Sequence, residues 1–165
     1  MKKNIFKNII LFMVGFCVYI TIEVMFRGYS YPLMGCCAGI ALIVLDKIND
    51  RLSFDVDVLF QCMVGSAIVT LMEFIIGSIS LLGYLPKMWD YSSLMFNYKG
   101  IICLPFSIVW IFLSFIGIIL ADAINYYVFE ETECPYYKLF GKVIFLLNKS
   151  IVHKYKNKGR KVLTL

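Results

Sequence analysis

The stretch Val58–Leu82, VLFQCMVGSAIVTLMEFIIGSISLL, decides the fold of this chain. It exceeds the roughly 20 helical residues that cross a bilayer core of about 30 Å, and its one charged side chain is Glu73. A buried helix of a soluble protein usually has a much shorter apolar run, of about 10–14 residues. The stretch therefore predicts a transmembrane helix.

Three further apolar blocks accompany this one. Hydrophobic residues make up 61% of the chain and charged residues 16%, against about 45–50% and 25% in soluble domains. The second block is the shortest and reaches a spanning length only with Asp46 and Lys47 placed at the membrane interface. We predict an all-α polytopic membrane protein, in which a four-helix transmembrane domain (1–130) precedes a basic cytoplasmic tail (131–165). The predicted spans are 9–26, 31–48, 58–82 and 101–122.

The distribution of lysine and arginine predicts the orientation. Basic residues precede the first span, separate the second from the third, and occur eight times after the fourth, whereas the other two loops hold only Arg27, Lys87 and Lys99. The positive-inside rule then places both termini in the cytoplasm of a cell-membrane protein. The net charge of +5 predicts contact with the lipid bilayer. Nucleic-acid binding is not expected, because no recognition motif accompanies the charge.

The tail segment 136–156 alternates lysines with apolar residues. At 100° per residue, its lysine stripe falls within about 40° on a helix, which predicts an amphipathic interfacial helix against lipid headgroups. Docking of a cytoplasmic partner is an alternative use of the same helix. The stripe consists of Lys138, Lys142, Lys149 and Lys156.

Two carboxylates interrupt the apolar spans. Glu23 and Glu73 lie fourteen and fifteen residues from the predicted inner ends of their helices, hence at nearly the same height of about 21–22 Å. Arg27 follows Glu23 at the i,i+4 spacing that favours an ion pair, and Ser107 reaches the same layer from the opposite direction. Ionisable groups in spans are costly and often functional. The alternatives are an outward-opening polar pocket and a charge network that only fixes helix register.

The second outer loop adds further candidates. Trp89, Tyr91 and Ser92 favour an interfacial turn with aromatic anchors, whereas Asp90 is a candidate lid for the polar pocket and Asn97 a further polar group beside it. The complete predicted polar site is Glu23, Arg27, Glu73, Asp90, Asn97 and Ser107.

The small residues of the apolar blocks, glycine and cysteine, bear on helix packing and on metal binding. Gly35 and Gly39 give the second span a smooth face for close helix approach, either within the chain or between copies in a homo-oligomer. The six cysteines have no Cys-x-x-Cys or histidine spacing, and most lie in apolar blocks, where cysteine packs as a small hydrophobic residue. We therefore expect no metal and no cofactor.

The polar residues and their spacing resemble a family of small Firmicutes membrane proteins labelled type IV ABC transporters. The resemblance covers about Glu23 to Asp122. It implies a transport-associated membrane protein with a separate ATPase partner, because the chain has no Gly-x-x-x-x-Gly-Lys-Ser/Thr loop. The matching residues, in order, are Glu23, Arg27, Gly28, Glu73, Phe74, Gly77, Trp89-Asp90-Tyr91-Ser92, Phe96-Asn97, Gly100, Ile102-Cys103-Leu104-Pro105-Phe106-Ser107 and Trp110.

This chain departs from the resembled pattern at two places. Tyr31-Pro32-Leu33-Met34 stands where a His-Trp-Ser/Thr-Met-like run is expected, and Ile101 stands where Gln is expected. Both departures remove polar groups from the outer end of the predicted site.

Three functions are compatible with these features. We favour a permease-like transport component with an outward-facing polar site, and a membrane scaffold or regulatory subunit is the alternative. An enzyme that uses Glu23 and Glu73 as acid and base is the weakest reading, because neither a nucleophile–base pair nor a metal set accompanies them. We expect no enzymatic activity.

Overall fold

The computed structural model describes residues 2–52, 54–130 and 134–147. The described chain is mostly helical, with four helices and two short antiparallel hairpins. The helices are α1 (Lys2–Arg27), α2 (Pro32–Arg51), α3 (Val58–Leu81) and α4 (Leu104–Tyr127), and the strands are β1 (Asn97–Tyr98), β2 (Ile102–Cys103), β3 (Tyr136–Leu139) and β4 (Lys142–Leu146).

Three of the helices are long and apolar enough to cross a membrane. They are Asn4–Arg27, Val58–Leu81 and Leu104–Tyr127, which correspond to the first, third and fourth predicted spans. The remaining helix, α2, has 20 residues and is not among these three. The described residues thus contain a helix at each of the four predicted spans, and three of these helices have the length and composition of a membrane span.

The helix starts follow from local chemistry. Asp57 caps α3, because its Oδ1 accepts a hydrogen bond of 2.9 Å from the amide of Leu59. Helices α2 and α4 each begin with proline in the first turn, where the missing N–H costs nothing. Helix α4 starts at Leu104 rather than 101, because Ile102–Cys103 pairs with Asn97–Tyr98.

The helices pack as two pairs. Helix α1 packs along α2 and α3 packs along α4, and the pairs meet mainly through α2 and α4, whereas α1 and α3 are not closely packed. Gly35 and Gly39 face α1, since a Cβ atom on Gly39 would lie 2.7 Å from the carbonyl oxygen of Phe12 and one on Gly35 2.8 Å from the ring of Phe16. Both glycines therefore lie in contacts within the chain.

Two clusters of buried apolar residues lie near the ends of the helices at which α2 leads into α3. One cluster comprises Leu45, Val58, Cys62, Ile118 and Tyr137, and a second comprises Leu11, Leu42 and Ala121. Tyr137 belongs to β3, so the C-terminal hairpin is part of this core.

The prediction of an amphipathic helix after the fourth span is wrong over residues 136–146. These residues form the antiparallel hairpin β3–β4, and Phe140 and Gly141, both at positive φ (50° and 76°), make its two-residue turn. Aromatic and β-branched side chains fill both strands and favour this conformation. Lys138 and Lys142 lie on the strands, whereas Lys149 and Lys156 lie outside the described residues.

Contacts with the α2–α3 connection hold the hairpin. Asp55 accepts a 3.0 Å hydrogen bond from the Tyr136 hydroxyl and pairs with the ammonium of Lys138. Asp57 Oδ2 accepts a 2.6 Å hydrogen bond from the amide of Phe140. Tyr137, only 2% exposed, donates to Asp122 at 2.6 Å. These four bonds fix the hairpin to the α2–α3 connection and to α4.

Candidate functional site

Glu23 of α1 has a complete set of partners. Its carboxylate lies 2.7 Å from the Arg27 guanidinium and accepts hydrogen bonds from the hydroxyls of Tyr19, at 2.9 Å, and Ser30. Arg27 also donates to the carbonyl of Met88 at 3.3 Å. The charge of Glu23 is therefore compensated, and the pair connects the end of α1 to residues 82–103.

Glu73 of α3 has neutral partners instead. Its two oxygens accept hydrogen bonds from the Tyr91 hydroxyl at 2.8 Å and from the indole N–H of Trp110 at 2.9 Å. The residue is only 5% exposed. Among the described ion pairs none involves Glu73. Glu73 is thus a buried carboxylate that has hydrogen bonds and lacks a described cation.

Tyr91 lies in the segment 82–103, between α3 and α4, and covers Glu73. Its ring is buried and stacks on Phe106 with ring centroids 4.5 Å apart. The pKa of the Tyr91 phenol is raised far above its usual range. Burial is the larger cause, and the nearby carboxylate of Glu73 is the second. The phenol therefore remains protonated and remains a donor to Glu73.

Asp90 and Asn97 organise this loop from within. Asp90 lies 2.5 Å from Lys87 Nζ and accepts a 2.9 Å hydrogen bond from the amide of Ser92, and these contacts lower the pKa of its exposed carboxyl to about 2. Asn97 donates to the carbonyl of Leu94 at 2.7 Å and accepts from the amide of Gly100 at 3.1 Å. All of these partners lie within the loop, and none of the described contacts joins Asp90 or Asn97 to Arg27.

Ser107 of α4 makes hydrogen bonds to α3, in the turns that precede Glu73. Its carbonyl accepts a 2.6 Å hydrogen bond from Ser66, and its hydroxyl lies 3.2 Å from that of Thr70. The Ser107 hydroxyl also donates to the carbonyl of Cys103 at 3.1 Å. The residue that α4 brings to Glu73 is Trp110, one turn further along.

A cavity of about 210 Å³ lies between the four helices beside Glu73. Five of the residues that line it carry a polar side-chain group, namely Tyr19, Glu73, Trp89, Trp110 and Ser114, but nearly all of its wall surface is apolar. Trp89 is held there by a 2.8 Å hydrogen bond from its indole N–H to the carbonyl of Ile101. Glu23, Arg27, Asp90, Asn97 and Ser107 do not line the cavity.

The model of a known protein family covers nearly the whole of this architecture. The family described as "Putative ABC-transporter type IV" matches residues 11–149. The chain belongs to this family. With its three apolar helices, it is a membrane protein of the type IV ABC-transporter family. Comparisons with curated proteins and with solved structures find no match.

This member of the type IV ABC-transporter family also has a second polar cluster, which was not predicted from the sequence. Asp46, only 1% exposed, lies 3.1 Å from Lys7 Nζ and accepts a 2.5 Å hydrogen bond from the amide of Asn125. Nearby in sequence, Asp122 accepts from Tyr137. The sequence did contain a sign of this cluster, because Asp122 and Asn125 lie one turn apart and therefore on the same face of α4.

Proposed function

We propose that this family member is a transport-associated membrane subunit whose ligand site is the cavity beside Glu73. The observation that carries the proposal is the cavity itself. Protein interiors are close-packed and hold few voids larger than a water molecule. The space beside Glu73 is partly open and measures about 210 Å³, several times the roughly 30 Å³ that one water molecule occupies in the liquid. Apolar walls with a few polar groups are typical of ligand sites.

This proposal changes the site expected from the sequence. The outward-facing polar pocket would need free polar groups at the outer end, but Glu23 is compensated by Arg27 and Tyr91 covers Glu73. The polar group that remains available to a ligand is Glu73 as it lines the cavity. The proposed site therefore lies among the helices and not in an outer pocket.

The proposed topology has four spans in the cell membrane, with both ends of the chain in the cytoplasm. Helix α2 packs along α1 and also contacts α3 and α4, as a member of a helical bundle does. Its most buried charge, Asp46, meets Lys7 and Asn125, which reduces the cost of placing a carboxylate near the bilayer. The lysine and arginine distribution supports the orientation.

The proposed subunit acts without chemistry of its own. The sequence has no phosphate-binding Gly-x-x-x-x-Gly-Lys-Ser/Thr loop, so energy from ATP would come from a separate ATPase subunit. Four helices are few for a complete pathway, which favours assembly with a partner membrane subunit or with further copies of the chain.

A membrane scaffold or regulatory subunit is the second candidate. The network of Glu23, Arg27 and Met88 favours it, because these groups satisfy one another and join α1 to the loop before α4. Such a network fixes register without any ligand.

Filling the cavity tests the choice between the two candidates. Ala41 of α2 lines the cavity, so we expect Ala41→Phe to occupy part of it and to abolish ligand binding while the helix pairs stay together. Ile40→Phe is the matched control, because Ile40 is the preceding residue, is 47% exposed and does not line the cavity.

The measurement compares a deletion strain with complemented strains by mass spectrometry of cells and medium. Compounds whose distribution changes on deletion should be restored by the wild type and by Ile40→Phe, and not by Ala41→Phe at equal membrane abundance. Full complementation by Ala41→Phe would support the scaffold and contradict the cavity site.

A further inference from the structure

The two intramembrane glutamates differ in what compensates their charge. Glu23 has the guanidinium of Arg27 at 2.7 Å, whereas the described partners of Glu73 are the uncharged donors Tyr91 and Trp110. A buried carboxylate without a cation is unfavourable in a low-dielectric site. Glu73 therefore lacks the kind of partner that Glu23 has.

Glu73 also has unused acceptor capacity. An ionised carboxylate offers about four acceptor sites on its two oxygens, and the hydrogen bonds from Tyr91 and Trp110 use two of them. Since Glu73 lines the cavity, a donor bound in the cavity could reach it.

A second polar residue, Ser114 of α4, also borders the cavity. Its hydroxyl oxygen is buried, has no hydrogen-bond partner among the described residues and lies against Gly65 of α3. Buried hydroxyls usually have a hydrogen-bond partner. Ser114 lies one helical turn after Trp110, about 6 Å along α4. The Ser114 hydroxyl is directed towards α3, so Glu73 remains the polar contact proposed for a ligand.

The remaining wall is suited to hydrocarbon. It is built from aliphatic and small residues of all four helices, such as Val18, Ala41, Val69 and Leu113. Because α1 and α3 are not closely packed, the bilayer has a side route to the cavity between them. A simple metal ion would not need these apolar walls, and a plain hydrocarbon would leave Glu73 uncompensated.

We infer that the cavity binds a cationic amphiphile, with a protonated amine head paired to Glu73 and an apolar chain along the helices. The inference rests on the proposed function, because it names the class of ligand for the same cavity. It commits to a bilayer-borne ligand with one positive charge, and it assigns Tyr91 and Trp110 the role of holding the carboxylate that receives the head.

The tryptophans provide a direct readout. The chain has two tryptophans, Trp89 and Trp110, and both line the cavity, so a spin-labelled ligand should quench their fluorescence. The probes are spin-labelled dodecylamine, its N-acetylated form and spin-labelled dodecanol, each at the same mole fraction in zwitterionic nanodiscs that contain the full chain.

We expect saturable quenching by the amine at about tenfold lower concentration than by the alcohol or the acetylated amine, equivalent to about 1.4 kcal/mol. Glu73→Gln should bring the amine to the level of the alcohol. Asp90→Asn is the control, because Asp90 is a carboxylate of the exposed loop surface and its loss should leave the preference for the amine unchanged.

The possible outcomes separate the two proposals. Saturable quenching that Ala41→Phe blocks, without any preference for the amine, would overturn the assignment of the head group and leave the cavity site intact. Quenching that Ala41→Phe never blocks would overturn both. A preference that survives Glu73→Gln would assign the charge to another group. If Glu73→Gln fails to fold, equal quenching of the wild type by the amine and its acetylated form would contradict the inference by itself.

Discussion

At the scale of single residues, the two glutamates Glu23 and Glu73 differ in their surroundings: Glu23 is in an ion pair, whereas Glu73 has uncharged hydrogen-bond donors. Arg27 is four residues from Glu23, so that the ion pair follows from helix geometry alone. Tyr91 and Trp110 are 18 and 37 residues from Glu73 and reach it from a loop and from a different helix. The first carboxylate is held by its own helix, and the second depends on the tertiary structure.

Removal of one donor to Glu73 should lower stability. Tyr91→Phe keeps the ring that stacks on Phe106 and deletes the hydroxyl, so a buried carboxylate oxygen loses its partner. We expect the free energy of unfolding to fall by about 1–3 kcal/mol, measured by denaturant titration in detergent micelles.

Tyr98→Phe is the matched control for that measurement. Tyr98 lies in the same loop and is 51% exposed, so the loss of its hydroxyl should change the free energy of unfolding by less than about 0.5 kcal/mol. Equal losses in the two variants would contradict a specific role for the Tyr91 hydroxyl.

At the scale of elements, the sequence was a good guide to helices and a poor guide to the segment after them. Long apolar runs located α1, α3 and α4, because a bilayer imposes length and composition. The lysine spacing favoured a helix at 136–156, but spacing describes only one face of a segment. The β-forming residues and Gly141 give the hairpin its local preference, and its anchors, Asp55 and Asp57, lie more than 80 residues earlier.

The limits of prediction are similar for the candidate site. The intramembrane carboxylates could be found from the sequence because charges are rare in apolar runs. The cavity could not, because it results from the spacing of four helices and from the absence of close packing between α1 and α3. Likewise, the partners of Asp90 and Asn97 became known only with the loop conformation.

Asp57 should couple two elements, since one oxygen caps α3 and the other accepts the amide of Phe140. We expect Asp57→Ala to reduce stability by about 0.5–2 kcal/mol and to speed amide hydrogen exchange in both the first turn of α3 and the β3–β4 turn. Mass spectrometry of exchange in detergent micelles measures both regions.

Asp90→Ala is the control for the exchange experiment, because Asp90 also accepts a backbone amide, that of Ser92. Its effects should be confined to residues 82–103. Unchanged protection of the hairpin in Asp57→Ala would show that the bond to Phe140 does not hold it.

At the scale of the whole molecule, the two helix pairs produce two different ends. At one end, the apolar core joins the hairpin and the cluster around Asp46 into a closed structure. Towards the other, the pairs enclose the cavity beneath Tyr91 and Glu73. Helix α2 contributes to both regions, so the proposed four-span topology depends on whether α2 crosses the bilayer.

The proposed topology places Asn4 and Cys134 on one side of the membrane and Lys99 on the other. Single cysteines at these positions, Asn4→Cys and Lys99→Cys and the native Cys134, in a chain otherwise free of cysteine, are labelled with an impermeant maleimide on intact cells. We expect labelling at Lys99→Cys alone and at all three after permeabilisation. Labelling of Asn4→Cys and Cys134 from opposite sides would mean that α2 does not cross.

The pairing of Lys7 with Asp46 also bears on how the protein is made. Helix α1 leaves the ribosome before α2, so the lysine is already at the membrane when the aspartate is synthesised. An acidic helix too polar to enter a bilayer by itself can then enter beside a neighbour that neutralises it. On the proposed topology, chain order therefore matters for insertion as well as final geometry, because with the order of α1 and α2 reversed the aspartate would reach the membrane before its lysine.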